Sequence, residues 1–142
     1  NQIIWGGNYF IEHLKNTRCC VIWDKKSQDF TGADFELAWT SFGSSCKAFR
    51  MSRVMAYSNP NKTIRETRIH PTQKPVALYK WLLKNYAKEG DKILDTHCGS
   101  GSIAIACHYM GFDLTACELD EDYYKAAMQR IKDQTRQLTL SL

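Results

Sequence analysis

The chain has 142 residues, of which 44% are hydrophobic and 24% are charged. This length suits a single domain with one core, and the composition excludes general disorder. No stretch approaches the run of about 20 apolar residues that a membrane-spanning helix needs, and no signal peptide opens the chain. The first residues, Asn1 to Trp5, lack an initiator Met and lead directly into a strand-like segment. We therefore expect that the chain lacks its N-terminal part.

Six cysteines are present without a C-x-x-C pair, and no His has metal partners at ligand spacing, so no metal site is expected. Since no secretion signal is seen, we expect six free thiols in a reducing cytoplasm. Cys98, Cys107 and Cys117 lie in apolar or Gly-rich segments. We interpret the cysteines as small core residues rather than as catalytic thiols.

The net charge of +4 is distributed unevenly. Between Gly43 and Lys74 the only acid is Glu66, so a localised positive segment lies on a near-neutral chain. Such a segment favours a polyanionic partner, although a solvated loop explains the charge equally well at this point. The basic residues of the segment are Lys47, Arg50, Arg53, Lys62, Arg65, Arg68 and Lys74.

The first half of the chain predicts short strands separated by polar connections. We expect a short helix over Asn8–Leu14 and a loop from Tyr57 to His70, which contains an Asn-Pro-Asn turn signal. The apolar and alternating patterns predict strands over Gln2–Trp5, Cys19–Trp23, Phe35–Phe42 and Cys46–Met55.

The second half predicts alternating helices and strands. Pro75 opens a helix that ends near Gly90, and Asp120 caps a helix that runs to about Asp133. Between them we expect a strand over Lys92–Asp95, a helix over Ser102–Met110 ended by Gly111, and a strand over Leu114–Glu118. This order predicts an α/β fold with parallel strands and right-handed crossovers.

The strongest feature is the segment from Asp95 to Gly101, followed by Glu118. A strand ends in a carboxylate, and a turn with two glycines then opens a helix, whose exposed N–H groups attract negative charge. Glu118 ends the next strand, where an acid accepts the two hydroxyls of a ribose. The run Gly99 to Ala104 also satisfies G-x-G-x-x-G/A, so NAD is an alternative. Asp95 would repel a pyrophosphate, and S-adenosylmethionine, with its ammonium group, fits better.

Three motifs resemble the C-terminal half of the DNA amino-methyltransferases, which methylate adenine N6 or cytosine N4. They are His70-Pro71-Thr72-Gln73-Lys74-Pro75, the segment Leu94 to Gly101, and Cys117-Glu118-Leu119-Asp120. Their order resembles the permuted class, in which the catalytic tetrapeptide precedes the cofactor motif. Ile3 to Phe10 and Val21 to Lys25 resemble strands of phage and prophage members.

The resemblance implies a Rossmann-like S-adenosylmethionine-dependent methyltransferase fold, mostly parallel and N-terminally incomplete. It divides the single domain into a DNA-recognition insert (43–69), a cofactor-binding half (70–135) and a tail (136–142). Glu118 would bind the ribose, and Thr72 and Lys74 would close the pocket. The methionine part of the cofactor would lie against Asp95, Gly99 and Gly101, and Ser100, between the two glycines, is also a candidate cofactor-binding residue. His97-Cys98 stands where the family often has Pro and an aromatic residue.

The family's catalytic tetrapeptide, Asp/Asn/Ser-Pro-Pro-aromatic, does not occur in the 142 residues. The nearest segment, Ser58-Asn59-Pro60-Asn61, lacks both the second proline and the aromatic residue. The catalytic residues are therefore unknown, and we expect this chain alone to be inactive.

The resemblance implies that double-stranded DNA is the partner and that the transfer goes to an exocyclic amino group, adenine N6 being favoured over cytosine N4. Restriction, regulatory and phage roles stay open. The alternatives are a methyltransferase for RNA or a small molecule and a non-catalytic nucleic-acid-binding module. The DNA contacts would come from Lys47, Arg50, Arg53, Arg65 and Arg68.

The tail, Gln137 to Leu142, resembles peptides that dock on bacterial sliding clamps, but packing on the domain itself explains its leucines more simply.

Overall fold

A computed structural model describes residues 1–26, 32–56 and 68–136. The chain forms two compact units, Asn1–Ser58 and Asn59–Leu142. The boundary falls within residues 43–69, the segment that the resemblance assigns to DNA recognition. Within the described residues, no helix is long and apolar enough to cross a membrane.

The first unit is built on a four-stranded mixed sheet. Its strands are β1 (Ile3–Trp5), β2 (Cys20–Asp24), β3 (Phe35–Thr40) and β4 (Lys47–Arg50), in the order β1-β3-β2-β4. Alternate side chains of the two central strands are buried, because successive residues of a strand face opposite sides of the sheet. The buried residues include Val21 and Trp23 on β2 and Ala38 and Thr40 on β3.

The pairing in this sheet differs from the mostly parallel sheet expected. β4 runs parallel to β2, but β3 runs antiparallel to both β1 and β2. Only ten residues, 25–34, connect β2 to β3, which is fewer than the dozen or more that a crossover between parallel strands needs, so the strands pair antiparallel.

Two further expectations for the first unit were wrong in detail. Residues 8–14 do not form an α-helix; two short 3₁₀ turns, Gly7–Tyr9 and Ile11–His13, take its place. The strand expected over Cys46–Met55 ends at Arg50. It is followed by a single helical turn, α1 (Arg53–Ala56), where the Ser52 hydroxyl accepts a hydrogen bond from the Met55 N–H at 3.2 Å.

The second unit has the expected alternation of helices and strands. In chain order it comprises α2 (Val76–Tyr86), β5 (Lys92–Asp95), α3 (Ser102–Met110), β6 (Asp113–Ala116) and α4 (Glu121–Thr135). β5 and β6 pair in parallel, as predicted. The core cluster of this unit consists of Leu83, Ile103, Ala106 and Cys107, with Ile93 and Leu114 packed against it.

The ends of the helices follow the sequence signals with one exception. Gly111 ends α3 in a left-handed conformation with φ of 74°, and the Asp120 carboxylate caps α4 by accepting from the Tyr123 N–H at 2.9 Å. Gly90 does not cap α2, which already ends at Tyr86 with Ala87 as its C-cap. Gly90 has φ of 84° and lies in the turn that leads into β5.

All six cysteines are free, as expected, but they are not all core residues. Cys19 and Cys107 are buried, whereas Cys46 and Cys117 are exposed. The interpretation as core residues is therefore wrong for these two, which lie just outside regular strands.

Candidate cofactor site

Parallel pairing of β5 and β6 brings the segments that follow them to one edge of the sheet. The paired residues at this edge are Asp95 and Ala116, so β6 ends two residues before the strand end expected at Glu118. Two hydrogen bonds continue the pairing past the strands: the Cys117 N–H donates to the Asp95 carbonyl and the Cys98 N–H to the Cys117 carbonyl, both at 2.9 Å. These bonds fix Asp95 and Glu118 in one small region.

The Glu118 carboxylate ties the two connections together. Its Oε2 accepts from the Gly99 N–H at 2.8 Å, and its Oε1 accepts from the Asp120 N–H at 3.1 Å. The backbone N–H groups of Asp120, Gly99 and Leu119 hold the pKa of Glu118 below its ordinary value. Each carboxylate oxygen has a further lone pair, so Glu118 retains acceptor capacity for a ligand hydroxyl.

The two glycines of the turn have left-handed backbones, with φ of 51° at Gly99 and 71° at Gly101. A Cβ at Gly99 would lie 3.2 Å from the His70 ring, and a Cβ at Gly101 would lie 2.8 Å from Ile131 Cδ1. Because a glycine has no Cβ, it leaves space in which a ligand can approach the backbone. The structure shows that the protein's own side chains also require that space.

Four N–H groups of the turn donate within the protein. The His97 N–H donates to Asp95 Oδ1 at 3.0 Å, the Gly101 N–H donates to the Cys98 carbonyl at 2.9 Å, and the bonds from Cys98 and Gly99 were described above. A bound pyrophosphate needs such groups directed at the ligand. These four N–H groups are directed at acceptors within the protein instead, and this weighs against the NAD alternative.

A buried polar network lies beneath the turn. The Arg130 guanidinium, on α4 and 7% exposed, donates to the Ser100 carbonyl at 2.7 Å and to Ser102 Oγ at 3.0 Å. Ser102 Oγ in turn donates to the Lys74 carbonyl at 2.6 Å. Ser100 is buried, with its hydroxyl 3.2 Å from that of Ser102. The structure thus links Ser100, Lys74 and the start of α3.

Sequence reasoning missed Arg130, although a signal was present. Tyr123, Ala127 and Arg130 have helical spacing on α4, and Ala127 is 2% exposed. An arginine on the apolar side of a helix indicates a buried partner for its charge, because an unpaired charge is costly to bury.

His70 was also given no role in the sequence analysis. Its ring lies against Gly99 and makes an edge contact with Tyr123 at a centroid distance of 4.4 Å. Its Nδ1 lies 3.1 Å from Thr72 Oγ1. His70 therefore connects the segment around Thr72 to the Gly-rich turn. An open depression beside it is lined by Arg68, Ile69, His70 and Pro71.

The residues expected to contact DNA are divided between the two units. Lys47 and Arg50 are exposed on β4, and Arg53 begins α1. Arg50 Nε lies 3.5 Å from Asp24 Oδ2. Arg68 is exposed in the second unit and donates from Nε to the His70 carbonyl at 3.2 Å. Arg65, the nearest tetrapeptide-like segment (Ser58 to Asn61) and the tail from Gln137 lie outside the described residues.

The described residues contain no group of three or more His, Cys, Asp or Glu side chains that could hold a metal ion. The parallel strands, the Gly-rich turn and the acid after the next strand together are features of a Rossmann-like α/β fold. A family model described as DNA methylase matches residues 7–129. The chain belongs to this family of N6 and N4 amino-methyltransferases.

Comparisons with individual proteins agree with this family. The chain is 30% identical over 80 residues to the Type II methyltransferase M.HpaI of Haemophilus parainfluenzae, covering 56% of this chain and 26% of that protein. It is 35% identical over 63 residues to the Type II methyltransferase M2.DpnII of Streptococcus pneumoniae, covering 44% of this chain and 24% of that protein. The aligned part is therefore about a quarter of the length of these relatives.

Two solved structures share the fold. The M1.HpyAVI-SAM complex has a TM-score of 0.55 at 19% identity and covers 87% of this chain and 66% of the other. TTHA0409 from Thermus thermophilus, a putative DNA modification methylase complexed with S-adenosyl-L-methionine, has a TM-score of 0.56 at 19% identity. That likeness covers 92% of this chain and 58% of the other. Both confirm the expected Rossmann-like methyltransferase fold.

Proposed function

We propose that this chain is the cofactor-binding part of an S-adenosylmethionine-dependent DNA methyltransferase that modifies an exocyclic amino group. The observation that carries the proposal is the Glu118 carboxylate, which accepts from both Gly99 and Asp120. A carboxylate that two backbone donors already orient loses little further side-chain conformational entropy when it binds ribose hydroxyls. Family membership supports the same cofactor, and the solved relatives named above are complexes with it.

The remaining residues of the edge fit the amino-acid part of the cofactor. Asp95 is half-buried at the end of β5 and presents a carboxylate that suits an ammonium group. Gly99 and Gly101 let the turn pack closely against the side chains of His70 and Ile131. Thr72 and Lys74 precede α2 and are linked to the turn through His70 and Ser102.

The proposed reaction is a direct displacement. The cofactor supplies an activated methyl group on a sulfonium; the lone pair of the target amino nitrogen attacks its carbon, the carbon–sulfur bond breaks, and the nitrogen loses a proton. The base would be turned out of the duplex to reach the site. We favour adenine N6 over cytosine N4. None of the 142 residues forms the family's Pro-Pro tetrapeptide, so we assign no catalytic residue.

The DNA contacts are proposed for Lys47, Arg50, Arg53, Arg65 and Arg68. The exposure of Lys47, Arg50 and Arg68 supports this role, since exposed cations are accessible to the phosphates of a nucleic acid. Ser100 is proposed to act on the cofactor through the shape of the turn, because its side chain is buried.

The test is methyl transfer by a protein that contains this chain together with a tetrapeptide-bearing segment. Labelled S-adenosylmethionine and duplex DNA are incubated with it, and the nucleosides are then separated. The proposal expects label in N6-methyladenine; label in N4-methylcytosine would support the reaction but correct the base. Label in RNA alone, or in no nucleic acid, would contradict the proposal in favour of one of the alternatives.

A finer proposal concerns a sliding clamp as a second partner, and it is supported only by the sequence Gln137 to Leu142. The leucines would enter an apolar groove while Gln137 bonds at its rim, and the tether would raise the local concentration of enzyme on DNA. Pull-down of purified clamp with and without these six residues tests it. Equal recovery from both forms, or none from either, would contradict it.

A further inference from the structure

Two thiols of the first unit lie against each other. Cys20 is the first residue of β2, and Cys46 directly precedes β4. Since β2 and β4 are parallel and Val21 pairs with Lys47, the preceding positions also face each other. The two Sγ atoms are 2.9 Å apart, and the Cys20 N–H donates to Cys46 Sγ at 3.2 Å.

The strand geometry suits a cross-link. Neighbouring strands lie about 4.8 Å apart, and a disulfide joins Cα atoms that are about 4.4–6.8 Å apart. Because the sulfurs already face each other, bond formation requires little movement of the backbone. The contact was not foreseen from the sequence, where the two residues are separated by β3 and its connections.

The neighbouring Cys19 is placed differently. It is fully buried, with its Sγ 3.6 Å from the Ser45 carbonyl and 3.4 Å from Ser44 Oγ. Successive side chains of a strand face opposite sides, so Cys19 faces the core while Cys20 faces Cys46. Cys46 is exposed and Cys20 is half-buried, so reagents in solution reach the pair through Cys46.

We propose that Cys20 and Cys46 are a modification site that closes to a disulfide in the presence of a small-molecule disulfide such as oxidised glutathione. The Cys46 thiolate attacks one sulfur of the oxidant, which forms a mixed disulfide and releases one reduced thiol. Cys20, after losing its proton, attacks the Cys46 sulfur and releases the second thiol. The two protein thiols lose two protons and two electrons in total, which the oxidant gains. The proposal does not depend on the proposed function.

The order of these steps follows from exposure and charge. Burial, together with the hydrogen bond to Cys46, raises the pKa of the Cys20 thiol to about 11. Cys20 therefore forms little thiolate at neutral pH and is a poor first nucleophile. Once Cys46 carries the mixed disulfide, Cys20 is already in place for the second attack. The cross-link fastens the start of β4, the strand that carries Lys47 and Arg50.

The test is incubation of the 142-residue chain with oxidised glutathione, followed by alkylation in denaturant, trypsin digestion and mass spectrometry without reductant. The expected product is a cross-linked pair of peptides, Cys19 to Lys25 and Ser27 to Lys47 with any missed cleavage, lighter by two hydrogens than their sum. Fragmentation should locate the alkyl label on Cys19. Dithiothreitol should release both peptides.

Variants separate this outcome from general oxidation. Cys46→Ser should abolish the cross-link, whereas Cys117→Ser, which removes an exposed thiol of the other unit, should leave it unchanged. The thermal midpoint should rise on oxidation in the wild type and in Cys117→Ser but not in Cys46→Ser. A stable glutathione adduct on Cys46 without the cross-link, or a cross-link that uses Cys19, would overturn the proposal.

Discussion

The Gly99 N–H donates to Glu118 Oε2 at 2.8 Å, which joins the turn after β5 to the connection after β6. One side chain thereby performs two tasks, and the sequence suggested only the second of them. It holds the Gly-rich turn in shape, and it presents acceptor oxygens at the sheet edge. Substitution of Glu118 is therefore expected to affect both the free energy of unfolding and ligand affinity.

The stabilisation by Glu118 should depend on pH. Its pKa is lowered from the ordinary 4.5 by the N–H groups of Asp120, Gly99 and Leu119. A lowered folded-state pKa stabilises the protein above pH 4.5, and this stabilisation is lost as the pH falls through the folded value. Urea unfolding should therefore show a difference between the wild type and Glu118→Gln at neutral pH that shrinks in acid. A difference that stays constant across this range would contradict the account.

Gly101 should tolerate alanine less well than Gly111. Both have left-handed backbones, with φ of 71° and 74°, but only at Gly101 would the new Cβ meet Ile131, at 2.8 Å. Gly111→Ala should cost about 1–2 kcal/mol from the backbone conformation. Gly101→Ala should cost about 1–3 kcal/mol more because of overpacking. Equal losses of unfolding free energy for the two variants would contradict the importance of the contact with α4. When Ile131→Ala is combined with Gly101→Ala, part of the extra loss should be recovered.

Arg130 should be important for stability because it is hydrogen-bonded to the turn that follows β5. Arg130→Met removes the donors to the Ser100 carbonyl and the Ser102 hydroxyl. Leaving buried acceptors unsatisfied should cost about 2–4 kcal/mol of unfolding free energy. Lys132→Met, two residues along α4 on an exposed position, is the matched control and should change stability by less than about 0.5 kcal/mol. Similar losses in the two variants would contradict a structural role for the network.

The basic segment should control the salt dependence of DNA binding. Replacing Arg50, Arg53, Arg65 and Arg68 by Gln should reduce the log–log slope by about one unit for each phosphate that the protein no longer neutralises. Replacing four exposed lysines elsewhere in the chain by Gln removes the same charge and should have a smaller effect. These control residues are Lys84, Lys88, Lys125 and Lys132. Equal slopes for the two variants would mean that DNA binding depends only on the total charge and not on the basic segment, which would contradict the prediction.

The elements that the sequence predicted best are those with strong local signals. The apolar pattern and Gly111 defined α3, and Asp120 defined the start of α4. The strand around Cys46–Met55 was predicted too long because alternating basic and apolar residues also suit a short strand followed by a helical turn. The antiparallel course of β3 depends on pairing between distant segments, which local patterns do not encode.

The candidate site likewise contains some residues that local sequence signals predicted and others that only the fold brings together. Asp95, the glycines and Glu118 form a short-range motif and were found from the sequence. The links through His70 and Arg130 join segments about 30 residues apart or more, and only the fold brings them together. The internal use of the turn's N–H groups also required the structure, because sequence spacing does not show where a donor points.

The measurement that tests the account most directly is calorimetric titration of the 142-residue chain with S-adenosylmethionine. Glu118→Gln removes the charge and should weaken binding by about 1.5–3 kcal/mol, roughly 10- to 150-fold. Glu89→Gln, an exposed acid in the turn before β5, is the control for the loss of one carboxylate and should bind as the wild type does. Binding by the wild type that is weakened only in Glu118→Gln is the predicted result. No binding to the wild type, or equal affinity in all three proteins, would contradict the assignment of the cofactor to this edge.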